Sequence, residues 1–596
     1  MTQALPHLEQ NLATLRRLKQ PVADWLAAQH VDLEDVARRI TRNQGGLIDW
    51  LLPDGRMLFA SLPPQALYRD WIPDEKPATS ATMVVGANLG YGVNHLVNNT
   101  PVSHKVLVIE PDPAMLTACL GQTDYTPVLE NRKLMFLPPD QDYLAAVVQH
   151  LDLQFVYGKV YLRGDVPMRQ AGPEYASWTA ACRARLENFS VELITLRHRQ
   201  EIMVGNELKN FRTAMATGSL APLQGSAEGV SAVILGAGPS LAKHAPLLAE
   251  NRGHALYATS LQTVPALQEH GLKPDLCMAI DFNDHLLKLY KKLDMDWVKD
   301  IPFIYSTKVD PRVVELYPGP TIPLWTLGGM ATYVLQQKEL VLDAGGNVSL
   351  TLNRFLRWCG VSRITLVGQD FAWTGSRTHA SGHHNANLSF PFNPRLHQKL
   401  KNRDGEEIIT SHQYIASMRE LEDDLRKSPF TTLNLYGGGI DIKGTRPVDF
   451  HEAVMEGSFA SAPGSVGRYL DALLSCRGRS RVFRFEPMSP HWTANLNRAE
   501  RKLAKLFKKL SANQAEIHRI MEHVSLFIKQ DPLYLPYLFN ETLDLSGLTR
   551  AKYRYEPGDL GAYRRIVKSV LRKVREVDRC LAGPVSLDAG RKTSAA

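Results

Sequence analysis

The sequence predicts an α/β protein: a central Rossmann-like domain flanked by an N-terminal α/β domain and a C-terminal helical domain. Three observations carry this reading. Short apolar runs alternate with helix-period segments, the mark of a parallel sheet. Two of these runs open into glycine-rich turns that lead into helices, at Gly86 and at Gly236. Beyond about residue 490 the apolar period is helical throughout. At roughly 100–200 residues per domain, 596 residues hold about three or four domains. The expected divisions are 1–220, 221–460 and 461–596.

The elements follow in order. QNLATLRRLKQPVADWLAA has a helical period broken at Pro21. Met83-Val84-Val85 reads as a buried strand entering a turn with Gly86, Gly90 and Gly92, and a second run, Val106 to Ile109, ends at Glu110. Glu110 stands where a ribose partner would be expected, although a Rossmann-like scaffold without ligand is the preferred reading there. The polar stretch from about 171 to 217, free of proline after Pro173, reads as one or two helices bridging two domains. Pro222 and GSAEG mark a boundary near 220–229. A second unit begins at SAVILGAGPSLAKHAPLLAE, and HALYATS, DLCMAID, PFIYST, TIPLWTL and SRITLVGQD continue a doubly wound pattern. In the tail, Leu503, Leu506, Leu510, Ile517, Met521, Val524 and Ile528 recur every three or four residues, as do Val567, Val570, Leu571, Val574 and Val577.

Composition excludes several classes. With 44% hydrophobic and 22% charged residues the chain is neither disordered nor collagen-like. No stretch approaches the roughly 18 apolar residues of a membrane span, and the N-terminus lacks the pattern of a signal peptide. The six cysteines are scattered with no CxxC pair, as expected of buried thiols in a reducing cytoplasm. Net charge is +8, and residues 501–596 hold 19 Lys and Arg against 10 Asp and Glu, so the basic excess belongs to the tail. That surface would meet an acidic protein, nucleic acid or a membrane, or is a solvated helical face. No aromatic–basic interleaving supports nucleic acid.

Four constellations bear chemistry. Gly236-Ala237-Gly238-Pro239-Ser240 lies between a strand and a helix, where free amides bind anions and proline fits the first helical turn. It is not a Walker A loop, since the lysine is missing. Asp281 ends a buried strand, a place to meet a sugar hydroxyl or to cap a turn. Gly346, Asn347 and Ser349 open a helix, either as a second cradle or as an ordinary N-cap. In LVGQDFAWTGSRTHASGHH, Gly368 and Asp370 end another strand, and His379, His383 and His384 lie in the loop beyond. Histidine serves as acid or base near neutral pH. The histidine spacing is not that of a metal motif, and no DxD ends a central strand, so no metal is expected.

Taken in order, ILGAGPSL, GLKPDLCMAID, GGNVSLTLNRFLRWCGVSRITLVGQDFAW, THASG and LNLYGGGIDIKGT resemble the motility accessory factor (Maf) family of bacterial flagellin glycosyltransferases over about residues 80–560. The central part is also similar to bacterial sialyltransferases that use CMP-sugars and to archaeal-type 6-hydroxymethylpterin pyrophosphokinases. The resemblance implies a cytoplasmic enzyme moving a nonulosonic acid, of pseudaminic or legionaminic type, from its CMP form to Ser or Thr of flagellin, for flagellum assembly and motility. Gly236, Gly238, Pro239 and Ser240 would then face the CMP phosphate and ribose, and Gly346, Asn347 and Ser349 the cytidine. Asp281, Gly368 and Asp370 would line the cleft. His379 would be the catalytic base, with His383, His384 and His397 as alternatives. The flanking modules, the basic tail above all, would hold the flagellin. Two competing readings are a pterin pyrophosphokinase-like enzyme and a flagellin-binding factor without catalysis.

Overall fold

The computed structural model describes residues 4–59, 63–335, 338–374, 377–383, 386, 392–394, 396–479, 485–550 and 554–582. Its contacts group the chain into two compact units, Met1–Ile194 with Leu543–Glu556, and Thr195–Thr542 with Pro557–Ala596. This differs from three segments in series. The polar stretch is one helix, Glu174–Thr217, and the division falls inside it rather than near 220. The physical reason lies in side chains: Asn206 Nδ2 donates to the Phe282 and Lys308 carbonyls, and Asn210 Nδ2 to those of Thr307 and Val309. These amides tie the second half of the helix to the loops of the larger sheet.

The first unit opens with helices Leu8–Arg17 and Val22–Ala27, parted near Pro21. A two-stranded antiparallel hairpin follows, β1 (Ile40–Arg42) with β2 (Ile48–Trp50). The strands β3 (Ala81–Val85), β4 (Lys105–Ile109), β5 (Leu134–Leu137) and β6 (Val160–Gly164) form a parallel sheet in the order β5-β4-β3-β6. Parallel sheets are covered on both faces, and the apolar runs Met83–Val85 and Val106–Ile109 are buried accordingly.

The second unit is built on nine parallel strands. They are β7 (Ser231–Leu235), β8 (Leu256–Ser260), β9 (Leu276–Ala279), β10 (Phe303–Ser306), β11 (Thr321–Thr326), β12 (Val341–Leu342), β13 (Arg363–Val367), and, after an antiparallel hairpin of β14 (His397–Lys401) and β15 (Glu407–Ser411), β16 (Thr432–Leu435) and β17 (Thr445–Val448). Their order is β12-β11-β10-β9-β8-β7-β13-β16-β17. The two-residue period of a strand sorts the core. Ala232 and Ile234 face Leu350, Leu352, Phe355 and Leu356 of helix Val348–Trp358. Val233 and Leu235 face Leu241, Ala245 and Leu248 of helix Leu241–Glu250. The tail forms helices Ser489–Leu506, Gln514–Lys529, Phe539–Arg550 and Pro557–Ala582. No helix among the described residues is long and apolar enough to cross a membrane.

Candidate active site

In the larger sheet the chain leaves β7 toward β8 on one side and later returns to β13 on the other. Helices diverge at such a switch point and leave a crevice at the carboxyl ends of the strands. Two turns meet there. Gly236 N donates to the Val367 carbonyl at 2.7 Å and Gly238 N to that of Gly368 at 2.9 Å. Gly368 has φ +68°, open to glycine at no steric cost. Phe371 has φ +46°, a strained value for a bulky residue. The Phe371 carbonyl accepts from Thr410 Oγ1 of the hairpin at 2.7 Å.

The sequence-predicted residues fall around this point. Ser240 N and Oγ donate to Asp370 Oδ2 and Oδ1 at 2.7 and 2.6 Å, and both residues are buried. Burial pushes the Asp370 carboxyl up, against the pull of the Ser240 hydrogen bonds. Ala237, Gly238 and Pro239 keep partial exposure. Ser349 joins the group through Gln369, whose Nε2 donates to Ser349 Oγ at 2.8 Å. Asn347 caps helix Val348–Trp358, its side chain accepting from Leu350 N at 2.9 Å, and that helix has no acidic residue in its first turn. Gly346 N donates to Glu420 Oε2 at 3.0 Å. Asp281 lies two strands away from β7, just past β9. Its Oδ1 accepts from Asn283 N and Nδ2 at 3.0 and 2.8 Å, and Gln262 Nε2 approaches Oδ2 at 3.4 Å.

The histidines separate. Ala380 N donates to the Ala237 carbonyl at 2.9 Å, which fastens the His379 loop to the GAGPS turn. Ser381 Oγ holds the loop from the other side through Glu269 Oε2 at 3.1 Å. His379 is partly exposed, meets Thr378 Oγ1 through Nδ1 at 3.0 Å and stacks on buried His383 at 4.2 Å between ring centroids. His397 stands on β14, with Nδ1 accepting from Asn393 N at 3.0 Å and its ring edge-on to Trp373. His384 lies outside the described residues.

Several participants carry little signal in the sequence. Gln369 was hidden as the middle of Gly-x-Asp. The glycines after β16 stand three in a row behind an apolar run, which marks a turn but not the strand ends against which it packs. Glu207 and Lys308 lie apart from the two turns, beyond β10 and β11, and nothing in the sequence marks them. Both are buried: Glu207 Oε2 accepts from Met330 N at 2.8 Å, and Lys308 Nζ donates to the Leu327 carbonyl. Burial raises the Glu207 carboxyl and lowers the Lys308 amine. Among the described residues no group of three His, Cys, Asp or Glu is placed to hold a metal ion.

At the carboxyl ends of the smaller sheet, after β4, β3 and β6, the chain fills the place itself. Glu110 is buried and accepts from Ala87 N at 2.6 Å, Asp112 N at 3.0 Å and Tyr175 Oη at 2.6 Å. Burial pushes its carboxyl up to about 8. Asp165 accepts from Tyr68 Oη at 3.0 Å and Asn88 Nδ2 at 2.6 Å, and burial pushes it up to about 7. A Cβ on Gly86 would press on Asp165 and Met168 at 3.0 Å, so this glycine serves close packing.

The family model of the 6-hydroxymethylpterin diphosphokinase MptE-like proteins matches residues 205–376, from the second half of the long helix to the loop after β13. Among solved structures, the MAf glycosyltransferase from Magnetospirillum magneticum AMB-1 is similar over 97% of this chain and 96% of its own, with a TM-score of 0.58 and 15% identity. No curated protein matches in sequence. The shared fold thus extends over both units, and it is the fold of the proteins that the sequence motifs resemble.

Proposed function

We propose that the chain is a glycosyltransferase that moves a nonulosonic acid from its CMP form to a Ser or Thr hydroxyl of flagellin. The observation that carries this is the meeting of the two turns at the carboxyl ends of β7 and β13. Asn347–Ser349 are partly exposed there, Ser349 is joined to β13 through Gln369, and a partly exposed histidine is fastened to the GAGPS turn. The likeness to a glycosyltransferase over nearly the whole chain supports it. In this reading cytidine and phosphate lie against Asn347–Ser349, and Asp281 meets sugar hydroxyls. The bond from the anomeric carbon to the phosphate oxygen breaks through an oxocarbenium-like state, and CMP departs with the electron pair. Amides aimed at the phosphate stabilise that departure. The acceptor hydroxyl forms the new bond and passes its proton to His379. His379 is favoured over His383 by exposure, and over His397 because its loop is fastened to the GAGPS turn.

Calorimetric titration of the full chain with CMP and with ATP tests the reading. CMP binding, weakened by Ser349→Ala and Asp281→Ala, is expected. The match to pterin diphosphokinase-like proteins favours a second reading, pyrophosphoryl transfer from ATP to a pterin-like acceptor. ATP binding without a response to CMP would establish that one instead.

A further inference from the structure

The GAGPS turn offers what a phosphate needs: a helix N-terminus and a serine hydroxyl. The Ser240 amide and hydroxyl are both taken by a carboxylate of the same chain. One Asp370 oxygen accepts from Ser240 N at 2.7 Å and the other meets Ser240 Oγ at 2.6 Å, so its carboxyl group occupies both. Ser240 and Asp370 are each only 4% exposed. Glycines from three strand ends close around the pair. A Cβ on Gly238 would meet Asp370 Oδ2 at 2.5 Å, and one on Gly439 would meet Asp370 Cα at 2.5 Å. One on Gly437 would collide with Ser240 Cβ, and one on Gly236 with Gln369 Nε2. One on Gly368 would strike the Gly236 carbonyl at 2.5 Å. Ile440 N completes the closure by donating to the Asp370 carbonyl at 2.9 Å. These glycines admit backbone and a carboxylate, and leave no room for a phosphate beside Ser240.

We infer that Asp370 is a resident anion: it fills the phosphate seat of the GAGPS turn permanently, and the turn serves as a strut, not as a cradle. Resting on the nucleotide reading of the crevice, it follows that the donor's phosphate is held by the other turn, at Asn347–Ser349. Asp370 is then a positioning residue. It fixes the turn whose Ala237 carbonyl holds Ala380 N and, with it, the His379 loop. Gly236, Gly238 and Ser240 act through packing and touch no donor.

Chemical rescue tests this without any activity readout. Asp370→Ala empties the seat and leaves the Ser240 amide and hydroxyl facing a carboxylate-sized hole. Thermal unfolding of the full chain is compared in sodium formate and in sodium chloride of equal ionic strength. The expected result is a lowered Tm in chloride that formate raises by about 2 °C or more, with no formate effect on the wild type. Equal Tm values for Asp370→Ala in the two salts, or an equal formate effect on the wild type, would overturn the inference. If the alanine variant does not fold, Asp370→Asn decides. Its size is kept, but the carboxamide brings an N–H toward Ser240 in place of an acceptor. A Tm below that of the wild type is expected, and an unchanged Tm overturns the inference. Failure of the nucleotide reading shows separately, as absence of CMP binding by the wild type.

Discussion

His379 bears the heaviest chemical demand of any single side chain in this account. It is partly exposed, it stacks on a buried neighbour, and its loop is tied to the GAGPS turn. Replacing it with glutamine should lower kcat by about 10²–10⁴-fold, the usual worth of a positioned base, and leave CMP affinity unchanged. A steady-state assay of transfer beside a CMP titration checks this, and an unaltered kcat would return the role to His383 or His384. Glu110 and Asp165 make a different prediction. Their folded-state values, raised to about 8 and about 7, mean that the folded chain keeps protons that the unfolded chain has released. The contribution of these two carboxyls to stability is therefore fully present at low pH and declines as pH rises from about 4.5 to 8. Thermal unfolding between pH 5 and 8 should show this fall in the wild type and a shallower one in the double variant Glu110→Gln, Asp165→Asn. Equal slopes would mean that the carboxyls ionise freely in the fold. The sequence shows Glu110 and Asp370 at strand ends and leaves Asp165 unmarked. It does not show their donors, because Tyr175, Tyr68 and Ser240 lie 65, 97 and 130 positions away.

In the proposed function, helix Val348–Trp358 is the element on which donor binding turns. Its sequence announces it: Asn347 as cap, then Leu350, Leu352, Phe355 and Leu356 turned to the sheet. Asn347→Ala should cost about 1 kcal/mol of stability, the ordinary worth of a cap, together with a loss of CMP affinity. If denaturant unfolding shows the stability loss while affinity stays whole, the cap is structural alone. Strands with continuous apolar runs, such as β7 to β11 and β13, are legible for the same reason that they are buried: parallel strands covered on both faces need apolar residues at every position. The hairpin β14–β15 is not, because HQKLK and EIITS are short and mostly polar, and its contacts to Trp373 and Phe371 are set by tertiary packing. The break in the long helix between two units is equally hidden, since an unbroken helical period gives no sign of which half packs where.

Across the whole chain, the basic tail is only partly a surface. Lys573 is buried and donates to Glu541 Oε2 at 2.9 Å and to the Tyr537 carbonyl at 3.1 Å, with Glu201 Oε2 also at 3.1 Å. Lys573→Met removes one partner of a buried pair and should destabilise by about 3–5 kcal/mol, read by denaturant unfolding; a loss below about 1 kcal/mol would place that cluster in water. Lys505, Lys508 and Lys509, by contrast, are exposed. Their joint reversal to glutamate should weaken transfer to flagellin and spare CMP binding, if the tail docks the acceptor. Charge composition alone cannot separate these two kinds of lysine; burial does. The doubly wound order of motifs was legible as a whole because a switch point needs its glycines at strand ends. The acceptor and the sugar leave no such mark. The measurement that tests the central claim most directly is the titration of the full chain with CMP, repeated on Ser349→Ala and Ser240→Ala. The account predicts CMP binding that Ser349→Ala weakens and Ser240→Ala leaves within about threefold, a difference below about 0.7 kcal/mol. Absence of CMP binding by a folded wild type would contradict it.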